Sequence, residues 1–292
     1  MNDFSQLDFE KLWNGRDNVT RVENAIILSM LRTHAYSKAL EIGAGKGRIA
    51  KVISDYFGMY FALDYIPEFL MDIPVKDGEK RMIKIRGDLY KMPIPDNSID
   101  VVLMIRVFNF LDQPQMALDE IYRVIKPGGM AIISFFNTGS VSEIMDKVLG
   151  NTSEGESLPG PVKRDKPKIR RSNFTEYFYS RALFRHMAQN SGFFIREIRV
   201  SGMEGYRPFK YLPWQLYSGL SGILKFSNFM PHTFVAMCKP GKSNDMVCSE
   251  VEILCCPDCH YPINLNSVFS AGDAECPNCH YRIRYRDGII FS

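Results

Sequence analysis

The stretch Ala39-Leu-Glu-Ile-Gly43-Ala-Gly45-Lys-Gly47-Arg48 decides the fold. The apolar run Lys38–Ile42 enters it as a strand, and the glycines let the backbone turn tightly and approach a ligand closely. Lys46–Phe57 then reads as a helix. The spacing is G-x-G-x-G, with the acidic Glu41 just ahead of it. A dinucleotide site carries G-x-G-x-x-G, in which the third glycine packs helix against strand and the helix start holds a pyrophosphate. Arg48 stands at that third position here. A carboxylate near the turn suits a cationic ligand better than a pyrophosphate.

Working outward, Met59–Asp64 reads as a second strand, Met82–Arg86 as a third and Ile99–Ile105 as a fourth. The unbroken apolar residues Val101 to Ile105 suit a strand buried on both faces. Gln115–Ile125 is an amphipathic helix stopped by Pro127-Gly128-Gly129, and Met130–Phe136 is a fifth strand. Strands alternating with helices mean βαβ units and a parallel sheet covered on both sides. Upstream, residues 8–33 form an entry helix with Val22, Ile26, Ile27, Met30 and Leu31 at helical spacing. Downstream, Ser140–Glu143 is a candidate capping box and Asn151–Arg171 a loop rich in Gly, Pro, Ser and basic residues. Thr175–Ser191 reads as a helix, and Ile195–Val200 and Thr233–Cys238 as strands.

Acidic residues recur at the strand ends. Asp64 closes the second strand, where it suits both hydroxyls of a ribose; a nicotinamide site uses the same position. Asp88-Leu89 follows the third strand, where the carboxylate suits an adenine amino group and Leu89 the ring. Ligands of such sheets bind at the carboxyl ends of the strands. Each acid alone also reads as a solvated loop residue or a helix cap.

The segments EIGAGKGRIA, ALDYIPEFL, GDLYKMPIPDNSIDVVLMIRVFNFLDQP and EIYRVIKPGGMAIIS resemble the successive motifs of class I S-adenosylmethionine-dependent methyltransferases, close to the ubiquinone-biosynthesis-like group. The resemblance covers roughly residues 9–240. It implies an α/β, Rossmann-like, seven-stranded and mostly parallel sheet, with helices on both faces and a final antiparallel strand. It also implies S-adenosylmethionine as cofactor, with contacts at Glu41, Gly43, Ala44, Gly45, Gly47, Asp64, Tyr65, Asp88, Leu89 and Arg106. Many relatives carry a histidine pair after the fourth strand; Asn109-Phe110 stands there instead, and no catalytic residue is assigned. Arg106, Asn109, Tyr177 and Tyr179 face the expected site, yet Arg106 also reads as a strand cap and the tyrosines as core or rim aromatics of a helix.

Five of the seven cysteines crowd into residues 255–279, which is unlike a disulfide framework. Cys256, Cys259, Cys276 and Cys279 form C-x2-C-x16-C-x2-C, a four-thiolate zinc pattern with no open position, hence a structural metal. Cys255 reads as a buried neighbour or as a substitute for Cys256. His260 and His280 follow the two knuckles as outer neighbours of the metal or as exposed residues. A module this small draws much of its folding energy from the metal. From Val251 to Ile290 the sequence resembles the zinc-binding domain of the small activator subunit that partners tRNA, rRNA and release-factor methyltransferases. That resemblance implies an activator fused in cis and a possible RNA or translation-related partner. The expected organisation is a methyltransferase domain over 1–240, a linker over 241–249 and a zinc ribbon over 250–292.

The composition is that of an ordinary globular protein, 46% hydrophobic and 24% charged, with a formal net charge of +3. The polar start excludes a secretion signal, and Pro213, Lys225, Asn228 and Pro231 break the apolar stretch Tyr211–Cys238, so no membrane span and a cytoplasmic location are expected. The basic run Lys163–Arg171 suits RNA phosphates or a solvated hinge of a substrate lid. The aromatic stretch Tyr206–Phe229 suits an acceptor-pocket wall, plain core or a partner surface. The expected function is methyl transfer by in-line displacement to a small molecule, lipid precursor, RNA or protein. The alternative is a non-catalytic RNA- or protein-binding adaptor that retains the cofactor pocket.

Overall fold

The computed structural model describes residues 13–31, 37–74, 81–138, 168–171, 175–202, 216, 230–241 and 254–292. In chain order the elements are α1 (Asp17–Leu31), β1 (Lys38–Ile42), α2 (Ala50–Ile53), β2 (Met59–Asp64), α3 (Pro67–Met71), β3 (Arg81–Arg86), β4 (Ile99–Met104), α4 (Pro114–Val124) and β5 (Ile125–Phe136). There follow β6 (Lys168–Arg171), β7 (Thr175–Phe178), α5 (Arg181–Asn190), β8 (Phe194–Ser201) and β9 (His232–Cys238). The last elements are β10 (Leu254–Cys255), β11 (Pro262–Ile263), α6 (Leu265–Ala271), β12 (Asp273–Glu275), β13 (Arg282–Arg286) and β14 (Ile289–Phe291). They form two compact units.

The first unit comprises Thr33–Met104, Gln115–Ala131 and Cys238–Ser292. Its strands run in the order β12-β13-β14-β3-β2-β1-β4, followed by the first half of β5. Pairing is parallel between β3 and β2, β2 and β1, and β1 and β4, the βαβ arrangement expected from the alternating pattern. The C-terminal strands continue this sheet: β14 pairs parallel with β3, matching Ile289 to Lys84, Ile290 to Ile85 and Phe291 to Arg86. Hairpin partners β13 and β12 complete the edge in antiparallel pairing. Val101, Val102, Leu103 and Met104 are all fully buried, as a strand covered on both faces requires.

The second unit comprises Met1–Arg32, Ile105–Pro114 and Ile132–Met237. It holds the second half of β5 with its neighbours β9 and β8, and the separate hairpin β6–β7. On α1, Val22, Ile26, Ile27, Met30 and Leu31 are buried, the stripe that the spacing predicts. Phe108, Phe135, Tyr179 and Phe184 form its aromatic centre, with Phe135 and Phe184 stacked at 4.5 Å and Phe108 tilted against Tyr179 at 4.9 Å. Backbone bonds place Asn137 opposite Pro231, and Gly128 opposite Lys239, so β9 runs antiparallel to β5. The first unit thus holds the expected parallel strands, extended by β14, β13 and β12, and the second unit the expected antiparallel strand, β9.

Three local expectations are corrected. Lys46–Phe57 is not one helix: Gly47 has φ +75°, outside helical space, so α2 starts only at Ala50 and passes into a 3-10 turn at Ser54–Tyr56. Thr175–Ser191 is not one helix either, because Thr175–Phe178 pairs antiparallel with Lys168–Arg171. The helix begins after Ser180, whose hydroxyl accepts the Leu183 N–H at 3.1 Å. That pairing also takes Lys168–Arg171 out of the expected loop. The rest of that loop, the capping box at 140–143 and, apart from Leu216, the aromatic stretch at 206–229 lie outside the described residues.

Ile290 is fully buried between Tyr285 and Ile85 in neighbouring strands. Ile290→Asp would place an unpaired carboxylate there and should destabilise the first unit by about 3 kcal/mol. The check is the urea midpoint; a variant as stable as the wild type would mean that β14 is not seated on β3 in solution.

Candidate functional site

At the end of β1 the chain turns through Gly43, Gly45 and Gly47, with φ of 72°, 53° and 75°. Each lies in the left-handed region that glycine enters without a steric penalty. A side chain at Gly47 would also press on Ile73, whose Cγ1 and Cγ2 lie 3.0 Å from the ideal Cβ position. The turn is fastened to the end of β2. Gly43 and Ala44 both donate their N–H to the Leu63 carbonyl, at 2.8 and 3.1 Å, and Gly45 donates to Asp64 Oδ2 at 2.7 Å. Gly47 donates to the Ala44 carbonyl at 3.0 Å. These four amides have partners within the protein and are not free to receive phosphate oxygens.

Three acids lie at successive strand ends of this one unit. Glu41 is 3% exposed; its Oε2 accepts the Tyr60 hydroxyl at 2.9 Å, and Ala50 gives it a backbone hydrogen bond. Burial pushes its pKa up to about 8, against the lowering pull of Tyr60 and of the Arg48 charge. Asp64 holds the Ile66 N–H at 3.0 Å besides that of Gly45, and burial raises its pKa too. Asp88 accepts the Tyr90 N–H through Oδ1 at 2.9 Å, closing a tight turn in which Leu89 is half-buried. Tyr65 is 51% exposed, and the Arg86 guanidinium lies 4.6 Å from its ring centroid.

In the second unit Arg106 has φ +62°, strained for a residue with a side chain. Its N–H donates to Ser134 Oγ at 2.8 Å, and its Nε donates to Glu23 Oε1 at 2.7 Å. Glu23 is fully buried, and the Trp13 ring lies beneath the guanidinium at 5.2 Å. Sequence reasoning missed Glu23, although a signal was there: it stands three and four residues before Ile26 and Ile27, on the buried stripe of α1. Asn109 is fully buried and structural; its Nδ2 donates to the Tyr177 carbonyl at 2.6 Å, and its Oδ1 accepts the Phe136 N–H at 3.1 Å. Tyr179 belongs to the aromatic core. Tyr177 is a strand residue, not a helical one, and its hydroxyl donates to Asp112 at 3.0 Å.

The sulfurs of Cys256, Cys259, Cys276 and Cys279 lie within 4.8 Å of one another. Cys256 and Cys279 approach to 3.4 Å, and Cys259 and Cys276 to 3.5 Å. A tetrahedral zinc with bonds of about 2.3 Å needs sulfurs separated by roughly 3.8 Å, so the donor set fits that ion. The two knuckles repeat each other. His260 and His280 both take positive φ, each donates its N–H to the first cysteine carbonyl, and each first cysteine donates to the following tyrosine carbonyl. Cys255 is outside the cluster: it is buried, its N–H donates to the Pro93 carbonyl at 3.1 Å, and burial pushes its thiol up to about 12. His280 pairs instead with Glu275 at 2.7 Å.

Residues 40–133 match the family described as a methyltransferase domain. Malonyl-[acyl-carrier protein] O-methyltransferase of Serratia marcescens is 28% identical over 120 residues, 41% of this chain and 46% of that protein. Sterol 24-C-methyltransferase of Neurospora crassa is 33% identical over 97 residues, 32% of this chain and 26% of that protein. The chain thus spans less than half the length of these relatives. Among solved structures, an S-adenosylmethionine-dependent methyltransferase of Listeria monocytogenes aligns with TM-score 0.55 at 14% identity, covering 76% of this chain and 99% of that one. A chain from the complex between the Haloferax volcanii Trm112 methyltransferase activator and a methyltransferase aligns with TM-score 0.53 at 17% identity, covering 80% and 97%. The fold is therefore the Rossmann-like methyltransferase fold. No helix among the described residues is long and apolar enough to cross a membrane.

Glu41 keeps its proton in the folded chain up to about pH 8, whereas the unfolded chain loses it near 4.5. The unfolded state therefore binds fewer protons between these values, and stability falls as pH rises through that window. Glu41→Gln removes this loss, so its melting temperature relative to wild type should rise from pH 5 to pH 8.5. A difference that stays flat with pH would place the Glu41 titration elsewhere.

Proposed function

We propose that this chain is a methyltransferase that uses S-adenosylmethionine. The observation that carries the reading is the placement of Asp64 and Asp88 at the carboxyl ends of β2 and β3, beside a glycine turn whose Gly43, Ala44, Gly45 and Gly47 amides are bonded within the protein and which rests on the buried, protonated Glu41. Two acids beside these occupied amides match a cationic, phosphate-free nucleoside better than a dinucleotide. Asp64 would take the ribose hydroxyls, Asp88 the adenine amino group, and Tyr65 and Leu89 the faces of the base. Glu41 supports the turn through Tyr60 and Ala50; the resemblance also implies a cofactor contact at Arg106, which Glu23 fixes within the second unit.

When bound, the cofactor supplies a methyl group on a sulfonium, which an acceptor held in line at about 3 Å can displace. With Asn109 and Tyr179 committed to packing, the protein's part in this chemistry is positioning. The relatives named above act on different acceptors, a malonyl-[acyl-carrier protein] and a sterol. The segment shared with them thus supports the cofactor half of the reaction, and the acceptor class stays open among small molecules, lipid precursors, RNA and protein.

Residues 1–240 are read as the methyltransferase domain and 250–292 as a zinc ribbon, joined by a linker over 241–249. Cys256, Cys259, Cys276 and Cys279 would hold a structural zinc, because four thiolates leave no position for a substrate. The ribbon would act as a fused activator: β14 covers the β3 edge, and Lys91 Nζ meets Asp258 at 3.1 Å. The Haloferax complex, in which a separate activator accompanies a methyltransferase, supports this reading by analogy of fold.

Calorimetric titration of the purified chain with S-adenosylmethionine and, separately, NADH should give micromolar binding of the former only. Binding of NADH alone would overturn the cofactor assignment, and binding of neither by a folded sample would bring the adaptor reading forward. Elemental analysis should find one zinc per chain, and its removal by a chelator should lower the melting temperature by several degrees. A metal-free preparation of undiminished stability would remove the zinc from the account.

A further inference from the structure

Arg86 was not among the residues expected at the cofactor site, yet it stands at a junction. Along the sheet, register partners form the row Arg284–Phe291–Arg86–Asp64. Side chains of one row share a face, so Arg86 lies between Phe291 of the C-terminal hairpin and the acid Asp64. Its backbone is held from both sides. The carbonyl accepts the Ser292 N–H at 3.0 Å, and the next residue, Gly87, donates its N–H to the Asp64 carbonyl at 3.1 Å. A side chain at Gly87 would press on Ser292 Oγ, which lies 3.0 Å from the ideal Cβ position.

From this fixed base the guanidinium reaches over the Tyr65 ring. Tyr65 follows Asp64 directly and keeps about half its surface open to solvent. An exposed tyrosine is ordinarily free to change rotamer, and a cation on one face of the ring restrains it. The restrained ring then presents its other face beside Asp64, the residue assigned to the ribose.

The geometry points to Arg86 as a positioning residue for the cofactor, holding Tyr65 as a stacking platform for the adenine and itself seated on β14. This rests on the methyltransferase reading above. Arg86 touches no reacting atom; it acts through Tyr65, and the C-terminal hairpin acts through Arg86.

The test is a double-mutant cycle with Arg86→Met and Tyr65→Ala in the full zinc-loaded chain, with S-adenosylhomocysteine as the titrated ligand. Arg86→Met should weaken binding about two- to fivefold, the range for a cation on an exposed aromatic face. Tyr65→Ala should weaken it roughly tenfold, as expected for loss of a base-stacking aromatic. In the Tyr65→Ala background, Arg86→Met should cause no further loss, and Arg86→Lys in the wild type should recover only part, since an ammonium lacks the planar fork. A role in general stability would instead lower the ligand-free melting temperature and weaken binding equally in both backgrounds, and that result overturns the proposal. So does unchanged binding in Arg86→Met. Absence of binding by the wild type itself would sink the cofactor reading and this inference with it, an outcome distinct from the other two.

Discussion

The Leu63 carbonyl accepts two amides, those of Gly43 and Ala44, and the Asp64 side chain next to it accepts a third, that of Gly45. This junction fastens the turn after β1 to the end of β2, and much of the first unit follows from it. Consecutive amides can converge on one strand end only if the backbone enters left-handed space, which is why glycine stands at 43, 45 and 47. The same convergence delays the helix until Ala50 and draws the first helical N–H toward Glu41.

Much of this architecture was legible in the residues. The apolar run at Val101–Met104 announced a strand buried on both faces, and the stripe on α1 named its own core residues. The glycines form the turn after β1 and the acids at 64 and 88 fall at strand ends, as their places in the chain suggest, and the C-x2-C pairs assembled as spaced. What the chain did not disclose depends on distant partners. Thr175-Glu-Tyr-Phe reads equally well as the first turn of a helix; it becomes a strand because Lys168–Arg171 lies beside it, and that partner looks like loop. The burial of Glu41 was equally hidden, since it needs the Tyr60 hydroxyl from the neighbouring strand.

Buried polar groups also decide which candidates remain for chemistry. Asn109 spends both ends of its amide on the Tyr177 carbonyl and the Phe136 N–H, leaving little capacity for a substrate. Arg106 is fixed by Glu23 and Ser134 in a backbone conformation that costs about 1–3 kcal/mol, a cost tolerated where the surroundings over-determine the residue. A glutamate on the buried stripe of α1 is matched there by that arginine, since an unpaired buried charge would be costly. The polar residues are thus arranged to hold geometry, as a displacement at a reactive sulfonium would require of its protein.

The C-terminal hairpin shows why one sequence segment need not be one structural unit. Asp287 and Gly288, at φ of 51° and 77°, make the left-handed two-residue turn that twists a hairpin correctly. A hairpin so closed leaves β14 with one open edge. Yet Ile289 and Ile290, consecutive and hence on opposite faces, are both fully buried. Burial of both faces requires cover from two sides, and three antiparallel strands with one short helix supply only one. The helix α3, which contacts β14, supplies the other, while β3 takes its open edge. Two adjacent buried isoleucines after an Asp-Gly turn therefore mark a strand that needs a second layer beyond its own hairpin and short helix.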